Sequence, residues 1–219
     1  MFQYDPVTLV VGLMILALAP FIAMMITSYV KIVVVLSLLR NALGIQQIPP
    51  NMVMNGMAII LTIFIMAPIA QETYNIANSR EALGEDGKPD TARLAGMSGE
   101  LSKPLSKFLE KHSSPKIRLF FLKTALRLWP KDKAIELSPT SFYILVPSFM
   151  LTELTEAFQI GFLLYLPFIV IDLVVSNILL AMGMMMVSPM TISLPFKLLL
   201  FVIINGWGKV IEGLIMTYM

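Results

Sequence analysis

The sequence predicts an all-α, membrane-type protein of bent, proline-broken helical hairpins, with about four long apolar segments and a small helical extracytoplasmic insertion. Three observations carry this. Of 219 residues, 57% are hydrophobic and only 14% are charged, with a mean hydropathy of +0.81; soluble domains carry about a quarter of their residues as charges. The charges are also segregated. Residues 72–136 hold 21 of the 30, leaving nine for the other 154. Finally, prolines recur inside the apolar blocks, at Pro20, Pro68, Pro147, Pro167, Pro189 and Pro195, and each removes a backbone donor from any helix that contains it. The expected organisation is an apolar hairpin over residues 1–71, a polar helical insertion over 72–136 and a second apolar hairpin over 137–219.

Taken in order, Val7–Val30 is uncharged for 24 residues, long enough to cross a hydrocarbon core of about 30 Å, with a kink predicted at Pro20. The preceding Met1–Pro6 contains Asp5 and no Lys or Arg, so the run is expected to be a retained segment rather than a cleaved signal. Lys31, Ile32–Leu39 and Arg40 follow, then a turn at NALGIQQIPP (Asn41–Pro50) and a second uncharged run, Met52–Gln71. Lys31 and Arg40 flank the first connection, which predicts that it is cytoplasmic and that Met1, the insertion and the C-terminus lie on the outer side.

Within the insertion, Glu81–Gly99 is expected to be a loop. Two amphipathic helices should follow, one opening at Ser102–Pro104 with Leu105, Phe108 and Leu109 on one face. The other opens at Ser114–Pro115, since proline favours the first helical position. There Ile117, Phe121, Leu122, Ala125, Leu128 and Trp129 share one side, and Lys116, Lys123 and Arg127 line the opposite one. The second apolar block starts near Ser141. A helix is predicted from Pro147–Ser148 through LTELTEAFQIGFLLYL with a bend at Pro167, then the uncharged Leu173–Phe196, then Leu198–Gly208 and a short amphipathic tail.

The chemistry left open is narrow. There is no cysteine and one histidine, His112, in the insertion, which excludes thiolate metal sites and most histidine catalysis. No metal or cofactor site is expected, and a net charge of +2 does not point to nucleic acid. Asp172 and Lys197 stand alone at the two ends of the 24-residue apolar run, where an unpaired charge at mid-bilayer would cost about 2.5–3.5 kcal/mol. Pairing within one hairpin and pairing between neighbouring copies both remain open. Thr152, Thr155, Glu156 and Gln159 fall on an arc about 100° wide, a polar stripe needing a polar partner, a water-filled passage or solvent. Glu153 points away from that arc, and no nucleophile accompanies the two carboxylates, so catalysis is not expected. Between Met182 and Met190 five of nine residues are methionine, interrupted by Gly183 and Pro189. Three consecutive methionines cannot share one helical face, so Met184, Met185 and Met186 are expected in a loop or helix end projecting into a lumen, where unbranched side chains refit around their contacts.

RNALGIQQIPPN (Arg40–Asn51), PSFMLTELTEAFQIGF (Pro147–Phe162) and LLYLPFIVIDLVVSNILLAMGMMMVSPMTISLPFKLLLF (Leu163–Phe201) resemble the FliP/SctR (YscR) family, core export-apparatus proteins of bacterial type III secretion systems. GIQQIPPN and GMMMVSPMTIS are more similar to its virulence-associated (injectisome) branch. The resemblance implies a closed helical ring of about five copies. These would be joined by SctS/FliQ-like hairpin proteins and an SctT/FliR-like protein around a protein-conducting channel in the bacterial inner membrane, with much of the assembly raised towards the periplasm. It implies that Met184, Met185 and Met186 form a gasket around the pore, and that Asp172 and Lys197 bridge adjacent copies. The competing reading is a small-ion or proton-coupled transporter with Asp172 as the coupling carboxylate. An intramembrane protease would need a second central Asp or a Ser–His pair, and no phosphate-binding glycine loop is present.

Overall fold

The computed structural model describes residues 6–45, 47–79, 96–130 and 137–219. Its elements are α1 (Pro6–Met25), α2 (Tyr29–Leu43), α3 (Asn51–Ala77), α4 (Ser98–Leu101), α5 (Lys103–Lys111), α6 (Pro115–Leu128), α7 (Phe142–Ala181), α8 (Pro189–Ile203) and α9 (Gly206–Met216); no strand occurs among the described residues. The fold is therefore all-α, as the sequence predicts. α3 and α7 are each long and apolar enough to cross a membrane, and the bent pairs α1–α2 and α8–α9 would raise the number of spans to four. The chain divides into two compact units, residues 1–30 with 66–152 and residues 31–65 with 153–219.

Most prolines of the apolar blocks lie within helices rather than between them. Pro20, Pro68 and Pro195 lie inside α1, α3 and α8, and Pro147 and Pro167 lie inside the 40-residue α7. Helices of membrane proteins keep running past a missing donor when neighbouring turns and hydroxyl side chains absorb the loss. On α7, Ser148 and Thr152 also back-bond to the carbonyls of Ile144 (2.5 Å) and Ser148 (2.7 Å), while the carbonyls that Pro147 and Pro167 leave without a helical donor are those of Tyr143 and Leu163. The long helix opens at Phe142 rather than at Pro147, after a turn in which Ser141 Oγ accepts the Ser138 N–H (2.9 Å). The first block is interrupted at residues 26–28, where no proline stands.

In the first unit, the two amphipathic helices of the insertion form as α5 and α6, preceded by the single turn α4, whose first two residues fall at the end of the expected loop. Most of that loop, and residues 131–136, lie outside the described residues. Leu109, Phe108 and Ala125 are buried with Ile144, Leu145 and Phe149 of α7, and the Phe108 and Phe149 rings lie 5.6 Å apart. The start of α6 is fixed by the Ser114 N–H donating to Thr152 Oγ1 (3.0 Å); just beyond its end, the Trp129 ring packs edge-on to Tyr143 (5.9 Å). Leu128, expected on the inner side with Trp129, is exposed, because the helix ends there and its last turn overruns the surface it packs against.

In the second unit, Ile32, Val35, Leu36 and Leu39 of α2 form the core with Ala157 and Phe168 of α7, Phe201 of α8 and Val210 and Leu214 of α9. Gly161 lets α2 and α7 approach closely, since a Cβ there would overlap Leu38. α8 and α9 are bent by 61° at Asn205, whose φ of 52° is a left-handed conformation that asparagine tolerates. Behind the bend, the Phe201 ring packs against Trp207 (5.4 Å) and Phe168 (6.4 Å) and occupies the space that a Cβ on Gly206 would need. Gly206→Val should therefore lower stability by about 1–3 kcal/mol through overpacking, read as a fall in the melting temperature of the detergent-solubilised protein; an unchanged melt would mean that Phe201 can move aside freely.

Candidate functional site

Three places in the second unit stand out from its helix packing. The first surrounds Lys31. Its ammonium lies 2.9 Å from Glu153 Oε1 and donates to Glu156 Oε2 at 2.7 Å. The Lys31 and Glu153 side chains are both 1% exposed, whereas Glu156 is 45% exposed. Tyr218 closes the cluster: its hydroxyl donates to Glu153 Oε2, and Lys31 Nζ sits 4.4 Å from its ring centroid, a favourable cation–π distance. Burial, and then the Glu153 carboxylate, push the Tyr218 hydroxyl well above its usual range, so it remains a donor. The cluster ties α2, α7 and the C-terminal residues together.

The second place is Asp172. Its Oδ2 accepts from Lys197 Nζ (2.7 Å) and its Oδ1 from Ser193 Oγ (2.6 Å). Ser193 and Lys197 are four apart on α8 and so share a face. Lys197 is almost fully buried and also reaches the Ala42 carbonyl at 3.4 Å, in the last turn of α2, where the helix dipole favours a cation. Asp172 remains 38% exposed.

The third place is the turn between α7 and α8. α7 ends in a Schellman motif: the Gly183 N–H bonds to the Leu180 carbonyl and the Met184 N–H to the Leu179 carbonyl, each 3.0 Å, with Gly183 at φ +72°. That positive φ is why glycine stands there. α8 then restarts at Ser188–Pro189, proline occupying the first turn, where a missing donor is harmless. Between these two local stops, Met184, Met185 and Met186 are 42%, 80% and 99% exposed. Beside the turn, Val170, Val174, Ile178, Ile192 and Phe196 line an apolar groove of about 450 Å³ between α7 and α8.

Residues 12–214 match the FliP family. The chain belongs to that family. It is 51% identical over 214 residues to the Yop proteins translocation protein R of Yersinia pestis, covering 98% of this chain and 97% of that one. It is 48% identical over 211 residues to the hypersensitivity response secretion protein HrcR of Ralstonia nicotianae, covering 96% of each. It is 44% identical over 217 residues to the virulence protein YscR of Salmonella typhimurium, covering 98% and 97%.

In this FliP-family chain the predicted site residues distribute unevenly. Asp172 and Lys197 meet within one chain, one of the two pairings the sequence left open. Met184, Met185 and Met186 lie together in one exposed turn. Of the polar stripe, Glu156 binds Lys31, Thr152 is buried under Ser114, and Gln159 is exposed. Sequence reasoning missed Glu153 and Lys31. Glu153, outside the polar arc, and Glu156, within it, converge on the same Lys31 of α2, which is a buried counter-ion. Arg40 is likewise engaged, donating to Asn51 Oδ1 (2.6 Å) and to the Pro49 carbonyl (3.2 Å). Ser193 was also missed, although its four-residue spacing from Lys197 carried the signal.

Removing one partner of a buried ion pair strands the other, at a cost of about 3–5 kcal/mol. Lys31→Met should destabilise the protein by that order, and the Lys31→Met/Glu153→Gln double variant should recover part of the loss, because no buried charge is then orphaned. Detergent-phase melting of the two variants measures this; a double variant no better than the single one would contradict it.

Proposed function

We propose that this FliP-family chain is a pore-forming subunit of a type III secretion export gate, and that unfolded protein substrates pass through the ring it builds. The ring would contain about five copies together with SctS/FliQ-like and SctT/FliR-like proteins, in the bacterial inner membrane with the polar segment towards the periplasm. The names of the relatives support secretion as the process. The observation that carries the gate is the turn 182–188. A helix whose amphiphilic pattern served packing alone would not display three consecutive methionines, Met186 almost wholly exposed, between a glycine stop and a proline restart. Exposed flexible thioethers around a common axis would close a passage without polar contacts and part when a chain enters. Energy would come from another component, and no catalytic role is proposed.

The transporter reading requires Asp172 to load and release an ion. Both its oxygens already accept hydrogen bonds, from Lys197 and Ser193, which favours a structural role. A bridge between adjacent copies is compatible with the intrachain pair through the exposed side of Asp172, which leaves room for a second donor.

Replacing Met184, Met185 and Met186 together with alanine should raise ion leak through the assembled apparatus, measured as membrane conductance in cells with assembly verified; unchanged conductance would reject the gate. For the bridge, Asp172→Lys and Lys197→Asp should each weaken oligomer recovery after detergent extraction. Co-expression of the two single variants should restore it if the charges meet between copies, whereas rescue only by the double variant in one chain would confine the pair to the hairpin.

A further inference from the structure

The outer face of α6 has no part in the gate. Ala125 is buried, and Ile117, Phe121 and Leu122 are half-buried, which defines the inner side. At about 100° per residue, Lys116, Lys123 and Arg127 fall within about 40° of one another on the other side, along about 16 Å of helix axis. Leu119 and Leu126 flank this row on one side and Phe120 on the other, and all six residues are exposed. None of the three cations has a partner among the described residues. The two carboxylates of residues 96–130 are committed elsewhere, Glu100 to Lys103 (3.3 Å) and Glu110 to Arg118 (3.1 Å), against seven Lys and Arg in the same stretch. The hydrogen bond of Ser114 to Thr152 and the packing of Trp129 on Tyr143 hold the helix at both ends, so the row is displayed on a fixed support.

The order of residues across this face selects the occupant. A helix lying on a membrane puts its apolar residues at the centre and its cations at the margins, where they reach the headgroups. Here the cations form the centre and the apolar residues the margins. A second copy presenting the same face would set cation against cation. What fits is a surface with a central line of carboxylates and apolar shoulders, and the seven- and four-residue spacing matches a second helix. We propose that the outer face of α6 docks an acidic amphipathic helix of a partner protein, its carboxylates on Lys116, Lys123 and Arg127 and its apolar residues over Leu119, Leu126 and Phe120. This holds whether or not the methionine turn is a gate.

The test uses the full chain in neutral detergent and a fluorescent synthetic helical peptide with Glu at the same seven- and four-residue spacings and Leu beside them, followed by anisotropy. Binding should weaken with added salt and fall roughly tenfold or more in the Lys116→Glu/Lys123→Glu/Arg127→Glu variant, whose melting should be unchanged because the three side chains are exposed. A peptide carrying Lys in place of Glu should prefer the variant. Absent binding, or equal binding to both proteins, overturns the proposal. So does charge-dependent binding of phosphatidylglycerol vesicles with none of the peptide, which would assign the face to lipid.

Discussion

A charge placed among apolar helices must be neutralised by the chain itself, and the second unit is organised around that requirement. Two ammonium groups meet it, Lys31 on α2 and Lys197 on α8, and both find their carboxylates on α7. Glu153 and Asp172 are nineteen residues apart on that helix, about 28 Å at 1.5 Å per residue, close to the thickness of a hydrocarbon core of about 30 Å. Between them the only charged side chain on α7 is Glu156, one turn from Glu153 and bound to the same Lys31, and residues 157–171 are uncharged. One long helix is thus fastened at two levels, to α2 and the C-terminal residues at one and to α8 and the end of α2 at the other. Helices whose faces are apolar all round have no other means of fixing their register, since dispersion contacts alone tolerate sliding.

The methionine turn follows from the same arrangement. Lys197 and Ser193 hold α8 against α7 within two turns of the point where α8 begins, so the connection between the helices is short and its ends are fixed. The Schellman stop at Gly183 and the proline restart at Pro189 determine its length, and the side chains within it have nowhere to pack except outward. Exposure of such residues on a single chain is unfavourable in water and is relieved when other subunits surround them. The same holds for the apolar faces of α1, α3 and α7, on which residues such as Phe64, Phe158, Phe162 and Leu173 stand exposed. Lipid or a neighbouring subunit would cover such faces.

The fold class was legible from hydropathy and charge segregation, and the loop character of Met184–Met186 from the adjacent glycine and proline. Break positions were not. Proline reports a missing donor, but one missing donor does not end a helix whose adjoining turns keep their bonds, so Pro147 and Pro167 sit within one continuous α7 while the break near residue 27 carries no proline. The Lys31 cluster was illegible for a different reason. A polar arc on a single helix identifies residues that share a direction, but not the counter-ion: Lys31 arrives from another helix, 122 positions before Glu153, and binds a carboxylate outside the arc as well as one within it. Asp172 and Lys197 were conspicuous because each was alone at the edge of a long uncharged run, whereas Lys31 and Arg40 resembled ordinary flanking charges.

The absence of cysteine from the sequence permits the most direct test of the gate. A single Met186→Cys replacement introduces the only thiol of this chain, and mild oxidation of the assembled, resting apparatus should join copies of the chain through Cys–Cys bonds if the turns converge on one axis. A ladder of covalent dimers and higher multimers of this subunit, diminished when a substrate is arrested in transit, is the expected result. A thiol that reacts readily with a membrane-soluble maleimide yet never links two copies would place the turn against lipid, away from any shared passage, and would contradict the account.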